Sequence, residues 1–394
     1  MTPPAAQKAI ETLPRELRER LAALRRAIHQ DPELAFKETR TAEKLEAALA
    51  ECGVTDVRRV ADTGLVARVR GTRAGAPVVA IRGDIDALPI KEETGLPFAS
   101  RNEGLMHACG HDVHATWAVG AAALLVRRPA EGDVLVVLQP AEEVGRGAAA
   151  VLESGALNDA TAIFGAHVDR RFELGQVVAD TGPLAASADT FDIELVGQGA
   201  HAARPHEARD PIVGAAALVT AIQTIVARRL NPATPGVVTV GRIAAGNAPN
   251  VIPDRATLSG TIRAVDPASR KLMHDELRHL AHAVAEAHGL GARVEMPEGT
   301  PPLVNVEPAV SQAREAVSRM LGNDALVPLG FLNLAGEDFA YYLERMPGCF
   351  LRVGAREPGG QVTPAHSPRF YAAEESIYIG SAVLAECARV ATAR

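Results

Sequence analysis

The order of strand and helix patterns is the feature that most constrains how this chain can fold. Short apolar runs rich in β-branched residues, "PVVAIRGD", "DVLVVLQP" and "TAIFGAHV", are typical of buried parallel strands. Helical patterns over residues 16–29, 38–52 and 113–126 precede or separate these runs. Strands that alternate with helices predict an α/β fold on a largely parallel sheet.

From about residue 186 the pattern changes to that of an α+β domain. A strand "DTFDIELVG", a helix over residues 210–228, the strands "GVVTVGRI" and "ATLSGTIRAV", a helix over residues 268–288 and a strand "ARVEM" follow in turn. This β-α-β-β-α-β order is ferredoxin-like. We therefore predict a discontinuous α/β domain of residues 1–185 and 299–394, and an inserted α+β domain of residues 186–298.

Composition excludes some classes of protein. The chain has 394 residues, of which 47% are hydrophobic and 23% charged, as in an ordinary globular protein of two domains. The net charge is −7 and there is no long basic run, so nothing points to a nucleic-acid partner.

Two further patterns bear on the cellular compartment. The longest apolar segment, "PIVGAAALVTAIQTIVA", contains polar residues and is shorter than the ~20 residues needed to cross a bilayer, so we expect a buried or interface helix and no membrane partner. The start of the chain has no apolar signal-peptide core, and the four cysteines form no CxxC pair. These patterns predict a soluble cytoplasmic protein with reduced thiols.

The segment "MHACGHDVHA" concentrates residues that can bind metals. It holds His107, Cys109, His111 and His114, although the whole chain has only 12 His and 4 Cys. The segment lies between a predicted strand and the start of a predicted helix. That is the place where parallel α/β sheets form their functional crevices.

Other candidate ligands follow neighbouring strands. Glu142 and Glu143 come directly after one predicted strand, and His167 ends another. Because the carboxyl ends of parallel strands meet at one edge of a sheet, these residues can converge with Cys109 and His111.

A thiolate, imidazoles and a carboxylate together suit Zn²⁺, Mn²⁺ or Co²⁺. Each residue alone also has an ordinary interpretation: a lone strand-end His is usually a polar core residue, a buried Cys is usually inert, and a Glu pair usually lies in a solvated turn. From the residues alone, both interpretations stay open.

Several segments in a fixed order resemble one known family. "MHACGHDVHA" and "QPAEE" are accompanied by "RRAIHQDPELAFKET", "RGDIDALPI", "GAHAARPHEARDPI", "NVIPD", "GTIR", "GEDFAYY" and "HSPRF". Along nearly the whole chain they resemble the M20 metallopeptidase family. The greatest similarity is to its amidohydrolase branch, which includes hippurate hydrolase and other aminoacylase-like enzymes that cleave N-acyl amino acids.

The resemblance implies a set of site residues. Two divalent ions (Zn, Mn, Co or Ni) would be bound by Cys109, His111, Glu143, His167 and His366. Glu142 matches the family's general base, which moves a proton from the attacking water to the leaving amine. Asp84 and Asp86 would orient the ligand histidines through hydrogen bonds.

The resemblance also implies that residues 1–185 and 299–394 form the metal-binding catalytic domain and that residues 186–298 form a lid or dimerisation domain. In a homodimer, His201 and Asn250 would reach the substrate in the opposite subunit, and His201 would donate to the developing oxyanion. Arg263 would meet the substrate carboxylate, although a solvated strand arginine is the alternative.

The predicted activity is hydrolysis of the amide bond of small N-acyl amino acids, with N-acetyl or N-benzoyl groups as examples. A metallo-dipeptidase or carboxypeptidase on the same scaffold is the first alternative. A non-hydrolytic binding protein and a structural zinc site are two others. "HVDRRFELG" departs from the family because relatives usually carry a proline after "HV", which affects the expected substrate preference.

Overall fold

The computed structural model describes residues 4–393. Its helices are α1 Pro4–Glu11, α2 Arg15–His29, α3 Thr39–Glu51, α4 His111–Arg127, α5 Gly147–Glu153, α6 Pro211–Thr224, α7 Pro267–Ala287, α8 Ala309–Leu321, α9 Ala340–Leu343 and α10 Glu375–Thr392. Its strands are β1 Val57–Val60, β2 Gly64–Val69, β3 Val78–Asp84, β4 Val134–Gln139, β5 Ala160–Glu173, β6 Val177–Val178, β7 Gly182–Ala185, β8 Asp189–Val196, β9 Ala200–His201, β10 Gly236–Ala245, β11 Val251–Ile252, β12 Arg255–Ala264, β13 Gly291–Glu295, β14 Leu303–Asn305 and β15 Gly348–Arg356.

The chain folds into two compact units. The first unit runs to Gly182 and resumes over Asn305–Phe331 and from Tyr341 onward. The second unit consists of Pro183–Val304 and Leu332–Ala340. The segment Leu332–Ala340 thus groups with the second unit, although the sequence pattern assigns it to the larger domain.

The first unit is built on a seven-stranded sheet with the order β1-β2-β4-β3-β5-β15-β6. The four central strands, β4, β3, β5 and β15, are parallel, and antiparallel strands flank them on both sides. The predicted α/β fold with a largely parallel central sheet is confirmed.

Helices α4 and α10 form the centre of the first unit's core. Almost every residue of both helices is buried, as expected for helices that pack against a sheet and against each other. Trp117 on α4 packs directly on Gly380 of α10. A Cβ atom at Gly380 would lie 2.2 Å from Cε3 of Trp117, so the close approach of the two helices depends on that glycine.

The second unit contains a four-stranded antiparallel sheet with the order β10-β12-β8-β13. Strand β8 alternates between buried and more exposed residues, which is the pattern of a sheet with one covered face. Helices α6 and α7 pack on the apolar side chains of that sheet. Each helix starts with an Asp-Pro pair, and the carboxylates of Asp210 and Asp266 accept the N–H groups of Ile212 and Ser269 at 2.9 Å.

The segment Pro211–Arg229 is long and apolar enough to cross a membrane by length and composition. Its Leu218 and Ile222 side chains nevertheless lie in the core of the second unit. Ile212 and Val213 on the same helix are 45% and 53% exposed. The segment is therefore an apolar helix that packs one face in the core of the second unit and carries exposed apolar side chains on its open face.

Candidate metal centre

Cys109 and His111 lie on either side of a tight turn at the start of α4. Gly110 between them has a φ of 92°, in the left-handed region. A Cβ atom at Gly110 would also lie 2.4 Å from Cγ2 of Val168. Glycine is therefore required between these two candidate ligands.

His111 is oriented by Asp86. Its Nδ1 atom donates to the backbone oxygen of Asp86 at 2.9 Å and to Oδ1 of the same residue at 3.1 Å. Its Nε2 atom is buried and has no hydrogen-bond partner among residues 4–393. A buried imidazole nitrogen that is held in place and left without a partner is the arrangement expected of a metal ligand.

His167 does not end its strand, which corrects the sequence interpretation. Strand β5 continues to Glu173 because β15 pairs with it through Asp169 and again at Glu173, whereas the pairing with β3 stops at Gly165. His167 lies just beyond that last β3 pair. Its Nε2 atom is 3.3 Å from Sγ of Cys109, and its Nδ1 atom donates to the oxygen of Val168 at 2.7 Å.

Two buried carboxylates hold the turn that carries Glu142 and Glu143. Ala141 has a positive φ of 55°, and its N–H group donates to Oε1 of Glu38 at 2.9 Å. The N–H group of Glu143 donates to Oδ2 of Asp86 at 2.9 Å. Asp86 therefore fixes both His111 and the backbone of Glu143.

His366 comes from the loop that follows β15. Its φ of 66° is unusual for a residue other than glycine, and its N–H group donates to the oxygen of Ala108 at 2.8 Å. Its Nε2 atom lies 3.3 Å from Oε2 of Glu143. The backbone thus ties the loop of His366 to the segment that carries Cys109.

The five predicted ligands fall into two groups that share Cys109. Cys109, His111 and His167 form one group, and Cys109, Glu143 and His366 form the other. Within each group the candidate ligand atoms lie within 4.8 Å of one another. The donor types fit a borderline divalent ion, and Oε1 of Glu143, like Nε2 of His111, is buried without a hydrogen-bond partner in the described chain.

The electrostatics of the site favour bound cations. Burial, and next the charge of Glu143, hold the pKa of the Cys109 thiol well above its usual range. Burial and then His114 hold the pKa of His167 well below its usual range, so this ring is neutral and can donate an electron pair. Divalent cations at this position would reverse the effect on Cys109 and stabilise its thiolate.

Comparison with known proteins identifies the family. The family model described as peptidase family M20/M25/M40 matches residues 80–390. The chain belongs to this family. It is a metal-dependent amidohydrolase of the M20 group.

Curated and solved M20 relatives cover nearly all of the chain. An N-acetyl-L-cysteine deacetylase of Bacillus subtilis is 40% identical over 95% of this chain and 88% of its own length. Thermostable carboxypeptidase 1 of Saccharolobus solfataricus is 34% identical over 93% of this chain and 94% of its own length. The crystal structure of the YXEP protein of Bacillus subtilis, a dinuclear metal-binding peptidase from the M20 family, is 35% identical with a TM-score of 0.85, and the match covers 96% of this chain and 99% of that chain.

Asp84 contacts two histidines of this M20 chain. It hydrogen-bonds with Nδ1 of His114 at 2.6 Å and with Arg82, and its Oδ2 atom lies 3.7 Å from Nε2 of His111. Nε2 of His114 accepts the N–H group of Val168 at 2.9 Å. Both nitrogens of His114 are therefore used within the protein, which leaves neither for a metal.

The predicted substrate-contacting residues of the M20 chain lie in its second unit. His201 in β9 pairs with Val251 in β11, and the N–H group of Ala202 donates to the oxygen of Asn250 at 3.0 Å, so His201 and Asn250 are neighbours. Nδ1 of His201 accepts the N–H group of Ala203 at 3.1 Å, which places the proton of a neutral ring on Nε2.

Arg263 lies in β12 of the second unit. Its guanidinium donates to the backbone oxygens of Ile262 at 3.0 Å and Asp189 at 3.4 Å. No carboxylate pairs with it within the described part of the chain.

Sequence reasoning missed Glu38 as a residue that shapes the site. Its side chain is fully buried, accepts from Thr63 Oγ1 at 2.5 Å and supports the turn before Glu142 through Ala141. Its position inside the segment "RRAIHQDPELAFKET" was the only available signal. A charged residue in the turn before a helix is otherwise read as solvated.

Proposed function

We propose that this protein hydrolyses the amide bond of N-acyl amino acids at a dinuclear metal centre. Cys109, His111, Glu143, His167 and His366 would hold two divalent ions, of which Zn, Mn, Co and Ni are the candidates. The observation that carries the proposal is the pair of ligand groups that share Cys109. A cation held by Cys109 would keep its thiol deprotonated, so this residue would supply negative charge to the centre.

Glu142 is proposed as the general base. Its Oε2 atom lies 3.9 Å from Nε2 of His111, and its side chain is 11% exposed, so it adjoins the ligand groups and remains accessible to water. When bound, the two ions would polarise the amide carbonyl and lower the pKa of the attacking water toward neutrality.

The proposed reaction moves one proton through Glu142. The carboxylate of Glu142 takes a proton from water as the water oxygen bonds to the carbonyl carbon. It then gives that proton to the amide nitrogen as the C–N bond breaks. The products are a carboxylate and a free amino acid.

His201, Asn250 and Arg263 are proposed to contact the substrate. Nδ1 of His201 is used by Ala203, so its Nε2 atom suits donation to the developing oxyanion, and the guanidinium of Arg263, which meets only backbone oxygens, suits the α-carboxylate. In this proposal the chain forms a homodimer in which His201 and Asn250 serve the partner's site. The exposed apolar side chains of Ile212 and Val213 on α6 support pairing through the second unit.

The relatives have different activities, and the main alternative to an N-acyl amino acid as substrate is a peptide. The deacetylase relative supports short acyl groups such as N-acetyl, whereas the carboxypeptidase relative supports peptide substrates. N-acyl amino acids are favoured because the deacetylase is the more similar of these two relatives, at 40% identity against 34% for the carboxypeptidase. All four cysteines are free, which supports a cytoplasmic location.

Turnover of a substrate panel tests the proposal. Metal-free protein is supplied in turn with Zn²⁺, Mn²⁺, Co²⁺ and Ni²⁺ and offered N-acetyl and N-benzoyl amino acids beside free dipeptides. We expect release of the free amino acid from the N-acetyl and N-benzoyl substrates to depend on the added metal. We expect Glu142→Ala to lose nearly all turnover while it keeps the wild-type metal content. Cleavage of dipeptides alone would establish the peptidase alternative. Full turnover by Glu142→Ala would exclude the proposed base.

A further inference from the structure

Two residues of α2 hold the first turn of α4. Nε of Arg25 donates to Oδ2 of Asp112 at 2.7 Å, and Nδ1 of His29 donates to the same oxygen at 2.8 Å. Asp112 directly follows His111, so these bonds are made one residue from a proposed metal ligand. The segment "RRAIHQDPELAFKET" supplies both donors.

His29 links Asp112 to a second carboxylate. Its Nε2 atom lies 3.2 Å from Oε1 of Glu92, and because both partners of the ring are carboxylates, both nitrogens donate. Arg25, His29, Asp112 and Glu92 form a charge-balanced network of two cations and two anions. Their side chains are at most 5% exposed.

Phe98 shields this network from water. Its ring centroid lies 4.6 Å from Cζ of Arg25, and its ring meets that of His29 edge-on at a centroid distance of 5.4 Å. A cation over an aromatic face in a water-excluded place gains more than it would at the surface. The network is therefore a rigid element rather than a set of mobile surface charges.

The segment that carries Glu92 also contacts the other ligand loop. The N–H group of Glu93 donates to the oxygen of Pro368 at 2.8 Å, and its carboxylate lies 3.5 Å from Nε of Arg369. Pro368 is two residues beyond His366. The segment of Glu92 and Glu93 thus contacts the start of α4 through His29, and it contacts the loop of His366 through the backbone of Glu93.

We propose that Arg25, His29 and Glu92 are positioning residues that fix Asp112 and thereby hold His111 and His366 at the spacing the metal centre needs. Buried ion pairs seldom add net stability relative to apolar packing, so a network of four buried charges beside a ligand is better explained by the orientation it imposes. This inference rests on the proposed dinuclear centre. It assigns the three residues no contact with substrate.

Metal binding by matched variants tests the inference. The variants are His29→Gln and the milder Glu92→Gln, with Glu33→Gln as the control. Glu33 belongs to the same segment and is also buried, but its carboxylate accepts from Thr41, away from Asp112. The measurements are competition for Zn²⁺ against a chromophoric chelator, the visible absorption spectrum of the Co²⁺-loaded protein, and the thermal midpoint of the metal-free protein.

We expect both test variants to weaken Zn²⁺ binding by about tenfold or more and to alter the Co²⁺ spectrum. Glu33→Gln should lower the thermal midpoint and leave both metal readouts at their wild-type values. If the test variants lose only thermal stability, the network is structural and the inference is wrong. If the wild-type protein binds no Zn²⁺, the proposed function fails and this inference fails with it.

Discussion

His111 donates from Nδ1 to both the backbone oxygen and the carboxylate of Asp86, at 2.9 and 3.1 Å. The contact fixes which nitrogen faces the proposed metal centre. The other carboxylate oxygen of Asp86 accepts the N–H group of Glu143. A single side chain therefore sets the positions of two proposed ligands that are 32 residues apart in the chain.

Replacement of Asp86 should weaken metal binding strongly. Asp86→Ala removes the acceptor for His111 and the support for Glu143, so we expect a loss of about 10–100-fold in metal affinity. Chelator competition measures it. Asp56→Ala, which removes an exposed carboxylate paired with Arg70, is the control and should bind metal as the wild type does. Equal affinity for the two variants would contradict the assigned role of Asp86.

His114 should be dispensable for metal content, although it lies three residues from His111. Both of its nitrogens already bond to Asp84 and Val168, so we expect His114→Gln to keep the wild-type number of bound ions and to lose stability. His111→Gln should lose bound metal. Elemental analysis of the dialysed proteins measures both. Metal loss from His114→Gln equal to that from His111→Gln would show that His114 is a ligand.

The buried carboxylate of Asp189 should make the second unit sensitive to acid. Burial would raise its pKa, but the close contact with Nε2 of His274 at 3.3 Å and the hydrogen bonds from Arg270 outweigh that effect and hold the pKa of Asp189 well below its usual value. Its stabilising effect is thus fully present above the unfolded-state pKa of about 4 and is lost as the pH falls toward the lower folded-state value.

At pH 7, Asp189→Asn should lower the free energy of unfolding by about 3 kcal/mol, and this difference from the wild type should shrink at lower pH. Urea unfolding across a pH series measures it. The exposed pair of Lys271 and Asp275 on α7 offers a control, because Asp275→Asn should leave the stability close to that of the wild type across the pH series. If the difference in unfolding free energy between Asp189→Asn and the wild type did not change with pH, the proposed link between the pKa of Asp189 and stability would be wrong.

The contact between Trp117 and Gly380 predicts a strong packing defect. Gly380→Ala would place a methyl group 2.2 Å from the indole, so α4 and α10 must separate, at a cost of about 1–3 kcal/mol in unfolding free energy. At Gly241 an added Cβ meets no atom within 4 Å, so Gly241→Ala is the control. Denaturant unfolding compares the two, and equal stabilities would disprove the packing argument.

Much of the site could be predicted because strand order limits where side chains can go. Cys109, His111 and Glu143 follow strand ends or precede a helix, and parallel strands bring such positions to one edge. Composition and spacing alone could not distinguish His114 from His111, and only the family resemblance selected His111, since the difference is which backbone and carboxylate groups surround each ring. Glu38 was missed for the same reason: its burial depends on contacts with Thr63 and Ala141, which are distant in sequence.

Element lengths were less predictable than element order. Strand β5 extends past His167 because β15, nearly 200 residues later, continues to pair with it. The local sequence of residues 337–346 has a helical pattern, but the helix in the structure spans only Ala340–Leu343. Local sequence indicates which element forms, whereas partners from other parts of the chain determine where it stops.

The position of β15 has a consequence for how the protein is made. This strand lies between β5 and β6 in the sheet, yet its residues leave the ribosome about 170 residues after those of β6. Until then β5 and β6 of the growing chain lack their shared neighbour, and only four of the five proposed metal ligands exist, because His366 is synthesised later still. The first unit therefore completes its folding only after nearly the whole chain exists, and its unpaired edges need protection during synthesis.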